Sequence, residues 1–463
     1  MSDLPNGWTL VRVGEVVALN PKNNAAEQTQ AGFSPMHLLG TGFRSSVGFE
    51  PKPWLEIRKN YTHFADGDVL LAKITPCFEN GKAGLVANMP NGIGAGSSEY
   101  FVCRPKAGAL DAKYLLAHFK TDAFLKSGAV RMTGSVGHKR VPKEYLLGSE
   151  LPLAPIGEQK RITDKLDAVL ARVDACRDHL DRVLAILKRF RQSVLVAATS
   201  GALTVEWQAE FGAASWPTKC LGELTLEIKN GLSPKPVEQP PGTPILRISA
   251  VRPFVVRQDD LRFLPDSGNT SAYELRVGDL LFTRYNGSLE FVGVCARVRT
   301  VKAPKLVYPD KLIRVRVDAS KVLSSWIEIA VNSPSIRDII ERTARTSAGQ
   351  TGISGKDLKG LKIPVPSLAE QAEIVRRVES LFGWADRLEV RHATARAHVE
   401  RLTPALLAKA FRGELVPQDP ADEPASELLE RLGQRPADNS TGLPKSQGAK
   451  PRRANAAQTA SSA

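Results

Sequence analysis

Residues 151–204 read LPLAPIGEQKRITDKLDAVLARVDACRDHLDRVLAILKRFRQSVLVAATSGALT, and residues 363–416 repeat them as IPVPSLAEQAEIVRRVESLFGWADRLEVRHATARAHVERLTPALLAKAFRGELV. The copies align without a gap at an offset of 212 residues (363 − 151), and 11 of their 54 positions are identical. An ungapped repeat of this length indicates an internal duplication. The fold should therefore contain two related halves.

Each copy predicts a long helix that follows a proline-containing entry and a Glu-Gln pair. In the first copy, apolar residues recur every seven positions from Leu166 to Val194, and a second series three positions later includes Cys176, which is the pattern of a coiled-coil seam. About 40 residues at 1.5 Å each would form a rod of about 60 Å. In the second copy His392 is polar at a seam position, and Pro404 should kink or restart the helix.

A globular domain precedes each helical copy, and the two domains share landmarks although their sequences differ. A tryptophan opens each domain (Trp8 and Trp216), and a Gly-Asp pair leads a β-type run in each, DGDVLLAKITP and VGDLLFTRYNGS. The predicted organisation is a first domain at residues 1–150, a helical spacer at 151–204, a linker at 205–215, a second domain at 216–362, a second spacer at 363–416, and a largely disordered tail at 417–463, with a short helix at Ser426–Leu432 and disorder from Gly433 onward.

The composition is that of a globular protein, with 42% hydrophobic and 24% charged residues among 463. The net charge of +14 and the pI of about 9.6 indicate a polyanionic partner, most simply nucleic acid. The N-terminal residues do not predict a secretory leader, and no apolar run approaches the roughly 18 residues of a membrane helix, so we expect a cytoplasmic protein without membrane contact. Scattered cysteines fit free thiols in a reducing cytosol: Cys77, Cys103, Cys176, Cys220 and Cys295.

Enzyme motifs are missing from the sequence. An adenine-N6 methyltransferase needs an Asn/Asp-Pro-Pro-aromatic loop to hold the flipped base. The only Pro-Pro pair, Pro240-Pro241, lies between Gln239 and Gly242. The sequence contains no G-x-x-x-x-G-K-[ST] loop for ATP, and its seven histidines show no metal-ligand spacing. We therefore predict no catalytic residue, no metal site and no cofactor site in this chain.

The two halves repeat the landmark tryptophans, Gly-Asp strands and long helices, but the sequences between these landmarks differ. In a duplicated enzyme the catalytic residues should recur in both halves. A common framework with different contents suits a protein that reads two different things. Together with the basic charge, this pattern indicates a reader of two different DNA half-sites.

The chain resembles the specificity subunit of type I restriction-modification enzymes over essentially its whole length. The resemblance rests on the two Glu-Gln entries, LPLAPIGEQKRI and IPVPSLAEQAEI, on the two Gly-Asp strands, and on Trp8 and Trp216. It also rests on the closing segment AKAFRGELVPQDPADEPASELLERL, residues 408–432. These motifs occur in the family's order, and most of them occur twice.

The resemblance implies an α+β fold, with two mixed α/β target-recognition domains separated by two long antiparallel coiled-coil helices in a pseudo-twofold repeat. It implies a non-catalytic subunit that binds double-stranded DNA, in which each domain reads one half of a bipartite site. The helices would set the spacing and dock the modification subunits. Two modification subunits would supply adenine-N6 methylation from S-adenosylmethionine, and two restriction subunits would supply ATP-driven translocation and cleavage. S-adenosylmethionine, ATP and Mg would then be bound by those partners, and this chain would hold no cofactor.

The predicted DNA-facing residues lie in loops that combine cations, amides and glycines, which suit contacts to phosphates and base edges. The segment TRYNGS, residues 283–288, offers a cation, an aromatic ring and an amide suited to adenine. The predicted residues are Lys73, Thr75, Asn80, Lys82, Arg131, Ser135, His138, Lys139 and Arg140 in the first domain, and Arg284, Tyr285, Asn286, Ser288, Arg345, Ser347, Gln350 and Thr351 in the second.

Two other functions stay open at the level of sequence. One is a stand-alone DNA methyltransferase or nuclease with unrecognised motifs, which methyl-transfer and cleavage assays on the isolated chain would reveal. The other is a helical scaffold protein with no DNA role, which salt-dependent duplex binding would exclude. The half-site bases are not predicted, because recognition loops have no code that relates residue to base.

Overall fold

The computed structural model describes residues 4–135, 137–212, 215–233, 235–265, 268, 270–347 and 350–433, with the backbone alone at 345–347 and 350. The chain divides into two compact units. Unit 1 consists of residues 1–176 and 399–463, and unit 2 consists of residues 177–398. The disorder predicted beyond Gly433 lies outside the described residues.

The strands of unit 1 are β1 (Thr9–Arg12), β2 (Val17–Leu19), β3 (Gln30–Ser34), β4 (Glu50–Pro53), β5 (Thr62–Ala65), β6 (Val69–Ala72), β7 (Ala83–Leu85), β8 (Ile93–Gly96), β9 (Tyr100–Pro105) and β10 (Glu150–Leu153). They form a four-stranded antiparallel sheet in the order β2-β9-β6-β7, a four-stranded mixed sheet in the order β4-β3-β8-β5, and a β1-β10 pair. The first helices of unit 1 are α1 (Val13–Val16), α2 (Trp54–Ile57), α3 (Ala112–Phe119), α4 (Asp122–Val130) and α5 (Lys143–Gly148), followed by the long helix α6 (Ile156–Ser200), which continues into unit 2.

The strands of unit 2 are β11 (Thr218–Cys220), β12 (Thr225–Asn230), β13 (Thr243–Leu246), β14 (Val251–Arg252), β15 (Val255–Val256), β16 (Leu261–Leu264), β17 (Leu280–Thr283), β18 (Tyr285–Asn286), β19 (Cys295–Arg297), β20 (Leu312–Val317), β21 (Arg345–Ser347), β22 (Gln350–Gly352) and β23 (Lys362–Pro364). Unit 2 repeats the four-stranded antiparallel sheet, in the order β12-β20-β17-β19. Its helices are α7 (Val205–Phe211), α8 (Ser324–Val331), α9 (Pro334–Thr343) and α10 (Gly355–Lys359), followed by the long helix α11 (Leu368–Ala410), which returns to unit 1, where α12 (Ala425–Gly433) follows.

The central strand of each main sheet is buried on both faces, because its side chains alternate between two apolar layers. In β6, Val69 and Leu71 join one core of unit 1, while Leu70 and Ala72 join another. In unit 2 the equivalent strand β17 divides its residues in the same way between two cores. The segments inserted between the strands of the main sheet differ: unit 1 forms the β4-β3-β8-β5 sheet from them, whereas unit 2 forms the small β13-β16 and β14-β15 pairs. The structure thus shows a common framework with different insertions.

The long helices form the expected antiparallel pair. In unit 2, Arg191 of α6 bonds to Asp386 of α11 at 2.6 Å and also to Glu389, and Arg396 bonds to Asp181, so numbers rise along one helix as they fall along the other. The seam differs in detail from the heptad prediction, since Cys176 is exposed. An α-helix has 3.6 residues per turn, so positions seven residues apart drift by about 20° around the helix with each repeat.

His392, the polar residue on the predicted seam, is accommodated by a hydrogen bond. Its ring Nε2 donates to the carbonyl oxygen of Leu180 at 2.9 Å. The two residues are repeat equivalents, because 392 − 180 equals the repeat offset of 212. Within unit 2, this contact therefore joins equivalent positions of the two helical copies.

The predicted restart of the helix at Pro404 was wrong. Helix α11 runs from Leu368 to Ala410 with Pro404 inside it. Proline removes one backbone hydrogen bond and destabilises a helix interior. Beyond the proline, Leu407 and Ala410 are buried in the unit 1 core, with 1% and 0% of their surface exposed. Burying a leucine stabilises by about 1.5–3 kcal/mol, which offsets much of the proline cost.

The tail begins with an ordered segment at residues 417–433, whose helix includes the short helix predicted at Ser426–Leu432. Ala425 and Leu428 of this helix, α12, are buried in unit 1. The amide of Ala425 donates to the carbonyl of Gly7 at 2.9 Å, and Arg161 pairs with Asp422 at 2.6 Å. Apolar residues spaced three and four apart give this short helix the face that holds it on the core. Across the described ranges, no helix is both long enough and apolar enough to span a bilayer.

Candidate DNA interface

The recurring tryptophan and glutamate landmarks bond to each other in both units. In unit 1 the Trp8 Nε1 donates to the Glu158 Oε2 at 3.0 Å, and in unit 2 the Trp216 Nε1 donates to the Glu370 Oε2 at 3.0 Å. Burial raises the pKa of Glu158, while the bond from Trp8 opposes that rise. These residues attach the start of each long helix to its domain, and they are therefore framework residues.

The glutamine that follows each glutamate also repeats its contacts. The Gln159 side chain accepts a bond from the Asp111 amide at 2.8 Å and donates to the Ala154 carbonyl at 2.9 Å. The Gln371 side chain accepts from the Leu323 amide and donates to the Pro366 carbonyl, both at 2.8 Å. Each partner in unit 2 lies 212 positions after its counterpart. The Glu-Gln motif therefore orients each long helix on its domain.

The Gly-Asp strands carry the same ion pair in both units. Arg104 donates to both carboxylate oxygens of Asp68 at 2.7 and 2.8 Å, and Arg316 donates to those of Asp279 at 2.7 and 3.2 Å. The aspartate side chains are almost fully buried, at 1% and 3% exposure. A buried carboxylate paired in this way fixes the turn before a central strand, so this motif is structural.

In unit 1, two of the predicted DNA-facing segments meet. The Thr75 amide donates to the Lys139 carbonyl at 2.9 Å, and the Val141 amide donates to the Lys73 carbonyl at 2.8 Å. The backbone of Arg140 also bridges to that of Ile74. Lys73, Thr75, Lys139 and Arg140 are thereby gathered at one end of strand β6.

The other predicted residues of unit 1 have different surroundings. The Lys82 Nζ donates a hydrogen bond to the Met36 carbonyl at 2.9 Å, so its ammonium group is bound to another residue of the same domain. The Arg131 guanidinium lies over the Tyr145 ring at 5.4 Å. Asn80 is exposed in the turn after β6, and Ser135 and His138 are exposed in the loop before Arg140.

In unit 2 the equivalent segments meet in the same way. The Ile353 amide donates to the Arg284 carbonyl at 2.9 Å, and β18 pairs with β22 so that Tyr285 faces Gly352 and Asn286 faces Thr351. The Arg284 guanidinium lies 4.8 Å from the centre of the Tyr285 ring. Of the other predicted residues, Ser288 donates its amide to the Asn286 Oδ1, and Arg345, Ser347 and Gln350 lie on the β21-β22 hairpin.

Two residues beside these segments were missed by the sequence prediction. The Lys73 amide donates to the Glu99 carbonyl at 2.9 Å, and the Arg284 amide donates to the Lys311 carbonyl at 2.8 Å. Glu99 and Lys311 are repeat equivalents (311 − 99 = 212) of opposite charge, each just before a strand of the main sheet. Their nearness depends on antiparallel strand register. The repeat offset aligns Glu99 with Lys311, but it does not show that either residue lies beside the predicted loops.

The described residues contain no group of three histidine, cysteine, aspartate or glutamate side chains that could hold a metal ion. All five cysteines are unpaired. Cations and hydrogen-bonding groups are clustered at the end of β6 in unit 1 and at the end of the equivalent strand β17 in unit 2. Such a cluster suits contact with phosphates and base edges.

Comparison with known proteins places this arrangement. Residues 5–183 match the family model for the type I restriction modification DNA specificity domain. The Type I restriction enzyme EcoKI specificity subunit of Escherichia coli (strain K12) is 43% identical over 327 residues, covering 68% of this chain and 70% of that protein. The EcoEI specificity subunit of Escherichia coli is 28% identical over 496 residues, covering 88% and 83%.

Solved structures agree on the fold. A chain from a structure of a type I restriction-modification system gives a TM-score of 0.68 at 21% identity, covering 89% of this chain and all of that one. The HsdS subunit from Thermoanaerobacter tengcongensis gives a TM-score of 0.58 at 20% identity, covering 89% and 98%. The expected fold class of two mixed α/β domains with a pair of long helices is confirmed.

A duplicated α/β framework with different cation-bearing loops on its two halves defines the class of two-domain DNA-recognition proteins. Within that class, the chain belongs to the family of type I restriction enzyme specificity subunits. Specificity subunits are the non-catalytic recognition components of their complexes.

Proposed function

We propose that this chain binds double-stranded DNA at a bipartite site, and that each domain reads one half of that site. The observation that carries the proposal is that the loop after the central strand has the same backbone hydrogen bonds in both units but different side chains. Both units hold the loop after the central strand by the same backbone bonds, but the loop reads Lys73-Ile74-Thr75-Pro76 in unit 1 and Arg284-Tyr285-Asn286-Gly287 in unit 2. A common scaffold that presents different side chains would read two different base sequences.

The net charge supports a polyanionic ligand. At +14, the chain attracts the DNA backbone, and phosphate contacts would supply much of the affinity and make it fall steeply with salt. The exposed cations Lys139 and Arg140 lie at the same end of β6 as Lys73, so they can contribute to this attraction together. Sequence choice would come from the amide, aromatic and guanidinium groups beside them.

The partners of the proposed complex would be two modification subunits and two restriction subunits. S-adenosylmethionine, ATP and Mg would be bound there, and this chain would hold no cofactor. Exposed apolar side chains on the long helices support a docking role in unit 2: Ile186 is 60% exposed, Trp384 49% and Val390 67%. We place the complex in the cytoplasm, in keeping with the unpaired cysteines.

The test is a segment exchange in a host that also expresses the partner modification subunit. Residues 216–362 are replaced by the corresponding segment of a relative, and methylation mapping identifies the modified site. One half-site should change while the other stays the same. A change in both half-sites would show that the domains are not independent readers.

The isolated chain separates this proposal from the alternatives. It should neither methylate nor cut DNA, but it should bind duplexes in a salt-dependent manner. Methyl incorporation by the mass-verified chain would favour the stand-alone enzyme. Binding that is absent at low salt would favour the helical scaffold.

A further inference from the structure

One predicted cation of unit 1 is held in a fixed orientation by a carboxylate. The Arg140 Nε donates to Glu99 at 2.9 and 3.2 Å, and the Arg140 Nη2 donates to the same carboxylate at 2.7 Å. The hydrogen bond from Arg140 lowers the pKa of Glu99, so the carboxylate is ionised at neutral pH. A bidentate pair of this kind fixes the plane of the guanidinium.

The hydrogen bonds that remain available to Arg140 can be counted. A guanidinium has five N–H groups, one on Nε and two on each Nη. Glu99 takes the Nε group and one Nη2 group, and the His138 carbonyl takes one Nη1 group at 3.3 Å. Within the described residues this leaves one N–H on each Nη atom. The Arg140 side chain is 48% exposed, so this pair of donors is accessible from solvent.

We propose that Arg140, held by Glu99, reads a guanine in the half-site of unit 1. Two neighbouring N–H donors in one plane match the O6 and N7 acceptors on the major-groove edge of guanine, and arginine is the usual side chain for that contact. The inference rests on the proposed function, and it adds one specificity-determining residue, its supporting acid and the base that it selects.

A phosphate contact explains the arrangement less well. Phosphate is attracted by charge from many directions and does not need a fixed guanidinium plane. A carboxylate next to the arginine also reduces the local positive charge, which would weaken attraction to the backbone. Fixing the side chain in advance instead lowers the entropy cost of a directional, bidentate contact.

Unit 2 lacks this pair, although its backbone is the same. The repeat offset places Lys311 at the Glu99 position and Gly352 at the Arg140 position (352 − 140 = 212). A Cβ added to Gly352 would lie 2.2 Å from the Tyr285 ring, so a side chain there would collide with a neighbour that unit 1 does not have. The two half-sites should therefore differ at the base that Arg140 contacts.

The experiment uses the full-length chain assembled with its modification subunit. A randomised duplex library defines the two half-sites bound by the wild type. Each guanine in them is then replaced, one at a time, by 7-deazaguanine, which lacks the N7 acceptor. Affinities are measured for the wild type, for Arg140→Lys, for Glu99→Gln and for a control, Arg412→Lys. Arg412 forms a similarly exposed bidentate pair with Glu414 in the same unit, at 2.7 and 2.8 Å.

Replacing one particular guanine in one half-site by 7-deazaguanine should lower the affinity of the wild-type complex about 10-fold to 100-fold. Arg140→Lys keeps the charge but loses the planar fork, so its preference for guanine over 7-deazaguanine at that position should fall well below that of the wild type, while the other half-site stays unchanged. Glu99→Gln should retain part of the preference, because the guanidinium is present but less firmly held. Arg412→Lys should behave as the wild type.

The inference is overturned if Arg140→Lys keeps full discrimination at every guanine, if it loses affinity equally for all sequences, or if no wild-type guanine responds to the replacement. In these cases the wild type still selects a bipartite site, and the proposed function stands. Failure of the wild-type complex to select any sequence would instead contradict the proposed function, and the inference with it.

Discussion

At the scale of single residues, His118 links the stability of unit 1 to pH. Its ring lies among Phe119, Phe124 and Phe411 at centroid distances of 6.1, 5.3 and 5.5 Å, and its Nε2 has no hydrogen-bond partner among the residues that the structure describes. Burial lowers the pKa of His118 from 6.5 to about 4. Between these values the unfolded chain binds a proton that the folded chain does not. Stability is therefore lost as the pH falls from 6.5 towards 4.

His118→Leu should remove this loss. A pKa difference of this size corresponds to about 3 kcal/mol across the full range, so the protection of α3 amides against hydrogen exchange should fall less between pH 7 and pH 4.5 in the variant. The exposed His138, changed to leucine in the same way, serves as the control. Equal pH slopes in His118→Leu and the wild type would show that His118 does not titrate as its burial implies.

Arg284→Ala should weaken duplex binding by unit 2. If Arg284 contacts a phosphate, the loss should be uniform across sequences and the salt slope should fall by about one. If it reads guanine, discrimination of about 1–3 kcal/mol should disappear at one position. Binding isotherms at several salt concentrations distinguish the two results. Affinity and salt slope both equal to the wild type would remove the 283–288 loop from the interface.

At the scale of elements, the sequence predicted best what is local. The long helices, the buried Gly-Asp strands and the short C-terminal helix follow from periodicity and turn residues. Glu99 could not be placed beside Arg140 from local pattern, because strand register joins residues 41 positions apart. The site residues and the domain boundaries stay predictions. The ion pairs of the Gly-Asp turns, Asp68 with Arg104 and Asp279 with Arg316, could not be predicted either, because nothing in the sequence distinguishes these charged residues from exposed ones.

Pro404→Ala should stabilise the end of α11. Alanine restores a backbone N–H inside the helix and removes the ring clash, and proline in a helix interior costs about 3 kcal/mol. The neighbouring packing already tolerates proline, so we expect a gain of about 1–3 kcal/mol. Denaturant unfolding or hydrogen exchange at residues 405–410 measures it. As a control, Ala405→Gly should act in the opposite direction. A destabilised Pro404→Ala variant would indicate that the proline fits a bend which the core requires.

At the scale of the whole molecule, the division into compact units cuts through both long helices, between residues 176 and 177 and between 398 and 399. The sequence instead divides the chain into domains and spacers. Helix α6 alone, at 45 residues, is about 67 Å long at 1.5 Å per residue. Since each long helix is uninterrupted, its length can set a distance along DNA.

Inserting four residues after Ile186 should lengthen the spacer between half-sites without changing their bases. The insertion adds about one turn, or about 6 Å, and nearly preserves the helical face. The modified site should gain one or two base pairs of spacer at about 3.4 Å each. Methylation mapping, with circular dichroism to confirm folding, measures the result. Altered half-site bases at an unchanged spacer would show that the helices do not act as the ruler.

The unit 1 core contains residues from both ends of the chain, which determines the order in which the two units can fold during synthesis. Leu407, Ala410 and Ala425 belong to the same apolar core as the α6 residues Leu166 and Leu170. These late residues emerge long after the first 176. Unit 2 is a single stretch, so its core is complete in the nascent chain once residue 398 has emerged. The second unit can therefore finish folding before the first, and the core of the earliest-made half of the protein stays incomplete for longest.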